Sequence, residues 1–478
     1  MPWGVTWLQA ITDALGAVLW SPVMLACFLG TGLYFTLRSR FFQLHPAVLR
    51  DTFADRKGSS LKTLSAALGA CMGTGNIAGV GTALVTGGPG ALFWMCLSAF
   101  LGMMTSFAET VLAVKFRSTH ADGTCFGGAM QVLEKGLGMK KCAAVYAFLL
   151  TASSFGIGNM AQVNAAADAL HMAFGVPPVA VGAVFCVLIA LTVCGGIRRI
   201  TAVTEKAVPL LSALFFLSAL AALWMHGNAL GGAVRLVFVS AFSPQSVLGG
   251  ACGYSVRQAM RMGVTRGVFS NEAGLGSTAV IHASADTDSA VRQGLWGIVE
   301  VFLDTVLMCS VTGLVILTSG VYPTDTNGAS LFADALCTSF GKAGSALTAV
   351  TLALLGFASL TGWSYCGERG VAYLFGEKRL PVYRVLYAAV AFFGSFLRLD
   401  TVFALSDILN CLMALPNLLS LWLLSGTVLR ELRMYKSNRN CQHLPYQRRS
   451  DVHDPCCRDR FHVHTVGDRL VGLRRRFR

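Results

Sequence analysis

The chain has 478 residues, of which 54% are hydrophobic and only 13% charged, about half the charged share of a soluble domain. That balance excludes a disordered chain, a coiled coil, a disulfide-stapled secreted domain and an ordinary soluble enzyme, and leaves an integral membrane protein. The net charge is +14, and residues 427–478 hold 13 Lys and Arg against 5 Asp and Glu, so the excess predicts short loops and a tail facing anionic lipid, with no nucleic-acid partner.

A membrane helix consumes roughly 20 mostly apolar residues. Apolar runs of that order predict eleven spans, at 14–37, 64–86, 89–116, 142–171, 178–195, 203–226, 252–284, 292–320, 344–367, 382–398 and 402–429. Only helices or closed barrels satisfy the backbone in lipid, and these runs lack the alternation of barrel strands, so the expected fold class is an all-α membrane bundle. The first run, near Leu15 to Leu37, follows no basic segment and precedes no A-x-A-like site, which reads as an uncleaved span. Cysteines such as Cys27, Cys71, Cys96, Cys186 and Cys194 lie inside apolar runs as small hydrophobes, predicting no disulfide framework. Arg38, Arg40, Arg50, Arg56, Lys57 and Lys62 follow span one, Lys115 and Arg117 follow span three, and Arg198, Arg199 and Lys206 follow span five. Those alternate loops are then cytoplasmic, the N-terminus outside and the C-terminal tail inside. Arg257, Arg261 and Arg266 would lie at the outer end of span seven on roughly one helical face, lining a wet vestibule or pairing with acids.

Two spans are abnormal. Span two holds Gly69, Gly73, Gly75, Gly79 and Gly81 within 13 residues, each costing a helix about 1 kcal/mol against Ala. Span seven holds Ser270, Asn271, Glu272 and Ser277 between glycines, in the stretch 267–277. Such backbone is tolerated at membrane depth where it lines a cavity, and a broken helix offers N–H groups and carbonyls to solutes and ions. Each break opens a block of five spans, which predicts an inverted five-plus-five repeat. The domain reading is an extra span and basic loop (1–63), a first repeat (64–226) broken at 69–79, an extracellular connection (227–250), a second repeat (251–434) broken at 267–277, and a basic cytoplasmic tail (435–478).

These residues carry a resemblance to the alanine or glycine:cation symporters, the sodium:alanine symporter family, over roughly residues 14–435. The matching stretches are Gly73-Thr-Gly-Asn-Ile-Ala-Gly79, Gly87-Gly-Pro-Gly-Ala-Leu-Phe-Trp94, Phe155-Gly-Ile-Gly-Asn-Met-Ala-Gln162, Gly195-Gly-Ile-Arg-Arg, Val203-Thr-Glu-Lys, Arg266 to Ser277, Gly362-Trp-Ser-Tyr-Cys-Gly-Glu368 and Asp407-Ile-Leu-Asn. The resemblance implies a leucine-transporter type fold in a cell membrane and Na⁺-driven uptake of a small neutral amino acid, alanine of either hand or glycine, with no cofactor. Cys71 stands where the family more often has Thr, and Gly127-Gly-Ala-Met130 replaces its usual Gly-Gly-Pro-Met.

A zwitterion needs donors for its carboxylate and acceptors for its ammonium. Backbone N–H groups near Gly73, Thr74 and Gly75 are the expected carboxylate cradle, and Asn76 can offer oxygen to Na⁺ or nitrogen to the carboxylate. A close helix crossing through Gly75-xxx-Gly79 is the structural alternative. Gln162 matches a substrate-facing family position, Phe269 and Ser270 sit at the lip of the second break, and Cys71 lines the turn. Ser359 and Trp363, four apart, share a helix face, where Trp363 limits the pocket. Ser359 and Thr361 hydroxyls with Gly69 and Met72 carbonyls and Asn76 form the expected Na⁺ set, unless the hydroxyls merely bond their own helix. Among the intramembrane acids Glu109, Glu272, Asp304 and Glu368, Glu272 is the one expected to hold the break open or couple the ion, the alternative being an ion pair with Arg266.

Other readings remain open: H⁺ as the coupling ion, an intramembrane enzyme using Ser277 and His282, or a channel. The first is undecided by sequence, the second lacks a catalytic motif, and the third fits two dissimilar breaks in one chain poorly. In the tail, Cys441, His443, His453, Cys456, Cys457, His462 and His464 are ligand types without zinc-site spacing, so the expectation is a disordered segment or an altered reading frame and no metal beyond Na⁺.

Overall fold

Glycine and polar insertions divide an otherwise helical chain, and the computed structural model shows where. It describes residues 15–442 apart from 17, 54–58, 122, 244, 247–252, 325, 327 and 398; the tail Cys and His from His443 onward lie outside the described residues. After α1 (Pro22–Ser39) and the short α2 (Ala47–Phe53) comes α3 (Ser59–Cys71), a 3₁₀ turn over Thr74–Asn76, and α4 (Ala78–Gly87), bent by 59° across the break. Then follow α5 (Gly90–Lys115), the β1 (Ser118–Thr119) and β2 (Cys125–Phe126) hairpin, α6 (Ala129–Gln131, continued as a π-turn to Gly136), α7 (Lys140–Phe174), α8 (Pro178–Val193) and α9 (Gly196–Met225). A further helix α10 (Gly227–Phe242) fills much of the expected connection, and β3 (Gln245–Ser246) pairs β4 (Gly253–Tyr254) after it.

The second broken pair is α11 (Val256–Asn271) and α12 (Ser277–His282), which confines the interruption to Glu272–Gly276. The chain continues through α13 (Ala290–Thr318), α14 (Gly328–Phe340), α15 (Lys342–Phe375), α16 (Leu380–Gly394) and α17 (Leu399–Leu423). A separate unit starting at Leu424 contains α18 (Ser425–Gln442), which is helical past Met434.

Among the described residues, six helices are long and apolar enough to cross a membrane, and the bent α3–α4 pair makes a seventh. The remaining expected spans fall short of that standard for physical reasons: α8 and α16 have 16 and 15 residues, and α11 carries Arg257, Arg261 and Arg266. Large apolar side chains such as Leu188, Leu191, Leu210 and Leu217 point outward from α8 and α9, the reverse of a soluble protein's surface.

Small residues bring the inner helices together. Gly263 and Gly267 of α11 lie against Ala91 and Ser98 of α5, and Gly362 of α15 lies against Ala70 of α3. Two helices carry π-helical stretches, Gly156–Met160 in α7 and Phe302–Cys309 in α13. Such bulges turn side chains out of helical register and recur at functional sites, and here both face the breaks.

Candidate functional site

The first break is a turn whose donors are held by side-chain amides. α3 ends at Cys71, and the Gly73 N–H donates to Asn76 Oδ1 (3.1 Å) while the Thr74 N–H donates to Gln162 Oε1 (2.9 Å). Gln162 reaches in from the turn after the α7 π-stretch, its own amide anchored to Ile157 O at 3.0 Å. Only Gly at position 73 admits it, since a Cβ there would lie 2.5 Å from Gln162 Oε1. The Thr74 hydroxyl is buried and has no hydrogen-bond partner. Of the residues expected around a carboxylate, Gly73, Thr74, Asn76 and Gln162 are thus brought together, with Gly75 facing Phe269.

The second break is tied on more sides. Glu272 caps α11 in a left-handed conformation (φ 57°), and its carboxylate accepts from Trp363 Nε1 (2.8 Å) and from the Ser277 hydroxyl. Glu109 of α5 accepts from the Gly274 N–H (2.9 Å) and from Asn417 of α17, which also donates to Gly274 O. Tyr146 of α7 donates to Leu275 O at 3.0 Å. The indole of Trp363 lies on the π-stretch of α7, where a Cβ at Gly158 would overlap it.

Asp304, in the π-stretch of α13, joins the two breaks. It accepts from Asn76 Nδ2 (2.7 Å), Ser270 Oγ (2.7 Å) and Thr305 Oγ1 (2.7 Å), so three donors compensate its burial. Asn76 therefore spends its nitrogen on Asp304 and its oxygen on Gly73. Cys71 is buried with its thiol toward Leu68 O, and Met72 packs in the apolar core. Gly69 packs on Thr204 and Val208 of α9.

Over Phe269 lies a charged pair. Arg266 of α11 donates to Asp407 of α17 (2.9 and 3.3 Å), and its guanidinium sits 5.6 and 5.5 Å above Phe269 and Phe403, which stack on each other. The alternative pairing of Arg266 with Glu272 is not what forms: the arginine takes Asp407, and Glu368 takes Arg384 at 2.6 Å.

Ser359 donates to Ala70 O (2.6 Å) at the unwound end of α3, which joins α15 to the first break. Thr361 is not beside it. Two residues on, it faces another side of α15, and its hydroxyl stays in its own helix, donating to Phe357 O. Ser277 and His282 do not meet either: Ser277 bonds Glu272, and the His282 ring is held by Glu300 and Gln293. A nucleophile and base are therefore not assembled there.

Sequence reasoning listed Glu109 and Asp304 as costly acids without finding their partners, and passed over Tyr146 and Asn417. The available signal was the cost itself, because a carboxylate at membrane depth requires donors somewhere.

The comparisons agree with this geometry. The chain is 40% identical over 450 residues to the sodium/alanine symporter AgcS of Methanococcus maripaludis, covering 90% of this chain and 98% of that protein. It is 34% identical over 438 residues to a Bacillus subtilis protein named probable sodium/glutamine symporter GlnT, covering 90% and 91%. Among solved structures, MhsT in complex with L-phenylalanine aligns with a TM-score of 0.57 at 17% identity, over 76% of this chain and 88% of that one, a likeness of fold of the leucine-transporter type. Residues 5–449 match the model of the sodium:alanine symporter family, and the chain belongs to that family.

Proposed function

We propose that this Na⁺-coupled amino-acid symporter takes up alanine or glycine, binding it at the first break between α3–α4, α7 and α15. The observation that carries the reading is the Gln162 carboxamide oxygen on the Thr74 N–H. It occupies the position a substrate carboxylate oxygen would take, as a neutral stand-in on a backbone donor. The unpartnered Thr74 hydroxyl beside it is a second polar group awaiting a ligand. Trp363 pressed on Gly158 and Phe269 against Gly75 leave room for a small side chain, which favours alanine or glycine over the glutamine named for one relative.

For Na⁺, a hard cation that takes oxygen ligands, we assign the carbonyls at the end of α3, at Gly69 and Met72, with Ser359 and the Asn76 oxygen. The donor set fits, because Ser359 Oγ and Ala70 O already converge there. Thr361 has its hydroxyl on Phe357 O and drops to the margin of the set. Closure of Phe269 beneath the Arg266–Asp407 pair would isolate the site from one side, so parting of that pair is the outer step of alternating access. We read the bundle as eleven crossings of the cell membrane with an inverted five-plus-five repeat, N-terminus outside and C-terminus in the cytoplasm.

The test is uptake of radiolabelled alanine and glycine into sealed proteoliposomes under an inward Na⁺ gradient, an H⁺ gradient or neither. Accumulation with Na⁺ alone is expected; accumulation with H⁺ alone would replace the coupling ion, and none with either amino acid would overturn the substrate.

A further inference from the structure

One buried cluster takes no part in the site above. His282 ends α12, and Gln293 and Glu300 stand seven residues, about two turns, apart on one face of α13. All three are fully buried. The His282 ring lies between them, Nε2 at 2.8 Å from Glu300 Oε2 and Nδ1 at 2.8 Å from Gln293 Nε2. Two oxygens of the cluster, Gln293 Oε1 and Glu300 Oε1, have no oxygen or nitrogen partner, and the weakly donating Cys71 thiol is beside the Glu300 carboxyl.

The chemistry of this arrangement accommodates two protonation states. With a neutral ring, Nδ1 accepts from the Gln293 amide, Nε2–H donates to Glu300, and the cluster carries one negative charge. With one proton more, Nδ1 becomes a donor and needs an acceptor. The idle Gln293 Oε1 supplies it when the carboxamide turns over, and the cluster becomes neutral overall. Neither state leaves a ring nitrogen unbonded, which is what a buried group needs if it is to change charge without large cost.

The surroundings make that charge count. Glu300 acts electrostatically on Cys71 of α3, Glu109 of α5, Glu272 in the second break, Asp304 one turn on, and Cys366 of α15. The Arg117 guanidinium is committed to the carbonyls of Ala285 and Thr287 beyond α12. Charged groups on the other packed elements are engaged at the surface, Arg50 with Asp51 on α2, Glu134 with Tyr373 and Lys135 with Ser118 on α6. Among the described residues of this cluster, His282 is the titratable base amid carboxyl groups.

We propose that His282, Glu300 and Gln293 form a proton-binding site linked to Na⁺ binding, resting on the Na⁺-coupled reading. Through Cys71, Glu300 lies against the end of α3 where Na⁺ is assigned. A negatively charged cluster favours the cation, a protonated one does not, and by reciprocity bound Na⁺ expels the proton.

The experiment uses the full chain in sealed proteoliposomes, with Na⁺-driven alanine uptake measured over roughly pH 5 to 8, where an imidazole titrates. The Na⁺ concentration for half-maximal uptake is expected to rise about fivefold or more at the acid end, an ordinary size for linked sites, and to become flat in His282→Gln. A pH-independent wild type, or a His282→Gln that keeps the wild-type dependence, overturns the proposal. Gln293→Leu keeps the ionisable pair but removes the acceptor, and should move the midpoint to lower pH; an unmoved midpoint also overturns it. Should a variant fail to fold, the wild type still decides: Na⁺ added to purified protein in weak buffer should release protons, and no release is disproof. Absence of Na⁺-dependent uptake at every pH would instead sink the symport reading itself.

Discussion

The two broken helices solve the same problem in different ways. At the second break the freed backbone groups are taken by side chains from other helices, Glu109, Asn417 and Tyr146 on the Gly274 and Leu275 peptides, with Trp363 and Ser277 on Glu272. At the first, the donors are held by two neutral amides, Asn76 from the turn itself and Gln162 from α7, and the Thr74 hydroxyl is left over. A carboxylate on a backbone N–H is a strong, charge-assisted bond, whereas an amide oxygen is a weaker occupant that a substrate carboxylate can replace. The second break is therefore a fixed joint and the first an exchangeable one, and variants at the two should fail in different measurements.

The largest expected effect is on the fixed joint. Glu109→Ala strands the Gly274 N–H and the Asn417 amide in a buried setting, a loss of about 3 kcal/mol or more. The readout is thermal unfolding in detergent, where a sharply lower Tm or loss of monodisperse protein is expected. A wild-type Tm would show that the joint is not held by Glu109. At the exchangeable joint, Gln162→Ala should depress alanine uptake roughly tenfold or more, equivalent to about 1.4 kcal/mol, with a Tm shift much smaller than that of Glu109→Ala. The division between joints collapses if the two variants show the same ratio of stability loss to transport loss.

Trp363 touches both joints, so its variants sharpen the contrast. Trp363→Phe keeps most of the ring but removes the Nε1–H donor to Glu272, leaving that carboxylate one bond short at a cost of about 1–2 kcal/mol. Its expected signature is mixed, a modest Tm loss together with weaker alanine uptake. Trp363→Ala frees the space over Gly158, and larger neutral amino acids should then inhibit alanine uptake. An unchanged inhibition profile would remove Trp363 from the wall of the pocket.

How far the sequence could anticipate this follows from what each feature depends on. The breaks are legible because glycine and polar residues are costly in a membrane helix wherever they fall, and Gly73 to Asn76 and Glu272 to Gly276 are where the helices part. The sharing of one face by Ser359 and Trp363 is likewise a matter of helical period, and the same period separates Thr361 from Ser359. Pairings across the bundle are different. Glu272 meets Trp363 across 91 residues and Gly274 meets Glu109 across 165, contacts set by how the helices cross. The π-stretch of α13 is equally hidden, since its sequence is apolar apart from Asp304 and Thr305, yet it is what carries Asp304 between Asn76 and Ser270.

The smallest expected effect separates the two joints most cleanly. Thr74→Val replaces a hydroxyl by a methyl of nearly the same shape, and the buried Thr74 Oγ1 has no partner to lose. In a joint that serves structure alone, removing an unsatisfied polar atom should leave stability unchanged or raise it by up to about 1 kcal/mol. In a joint that opens to a ligand, the same hydroxyl is a contact the substrate makes on arrival, and its loss should raise the alanine concentration for half-maximal uptake about fivefold while the Tm holds or climbs. Those two results together are what the exchangeable joint requires. Wild-type uptake with a raised Tm would mean that the hydroxyl is an idle group, and the carboxylate site would then have to be sought away from Thr74.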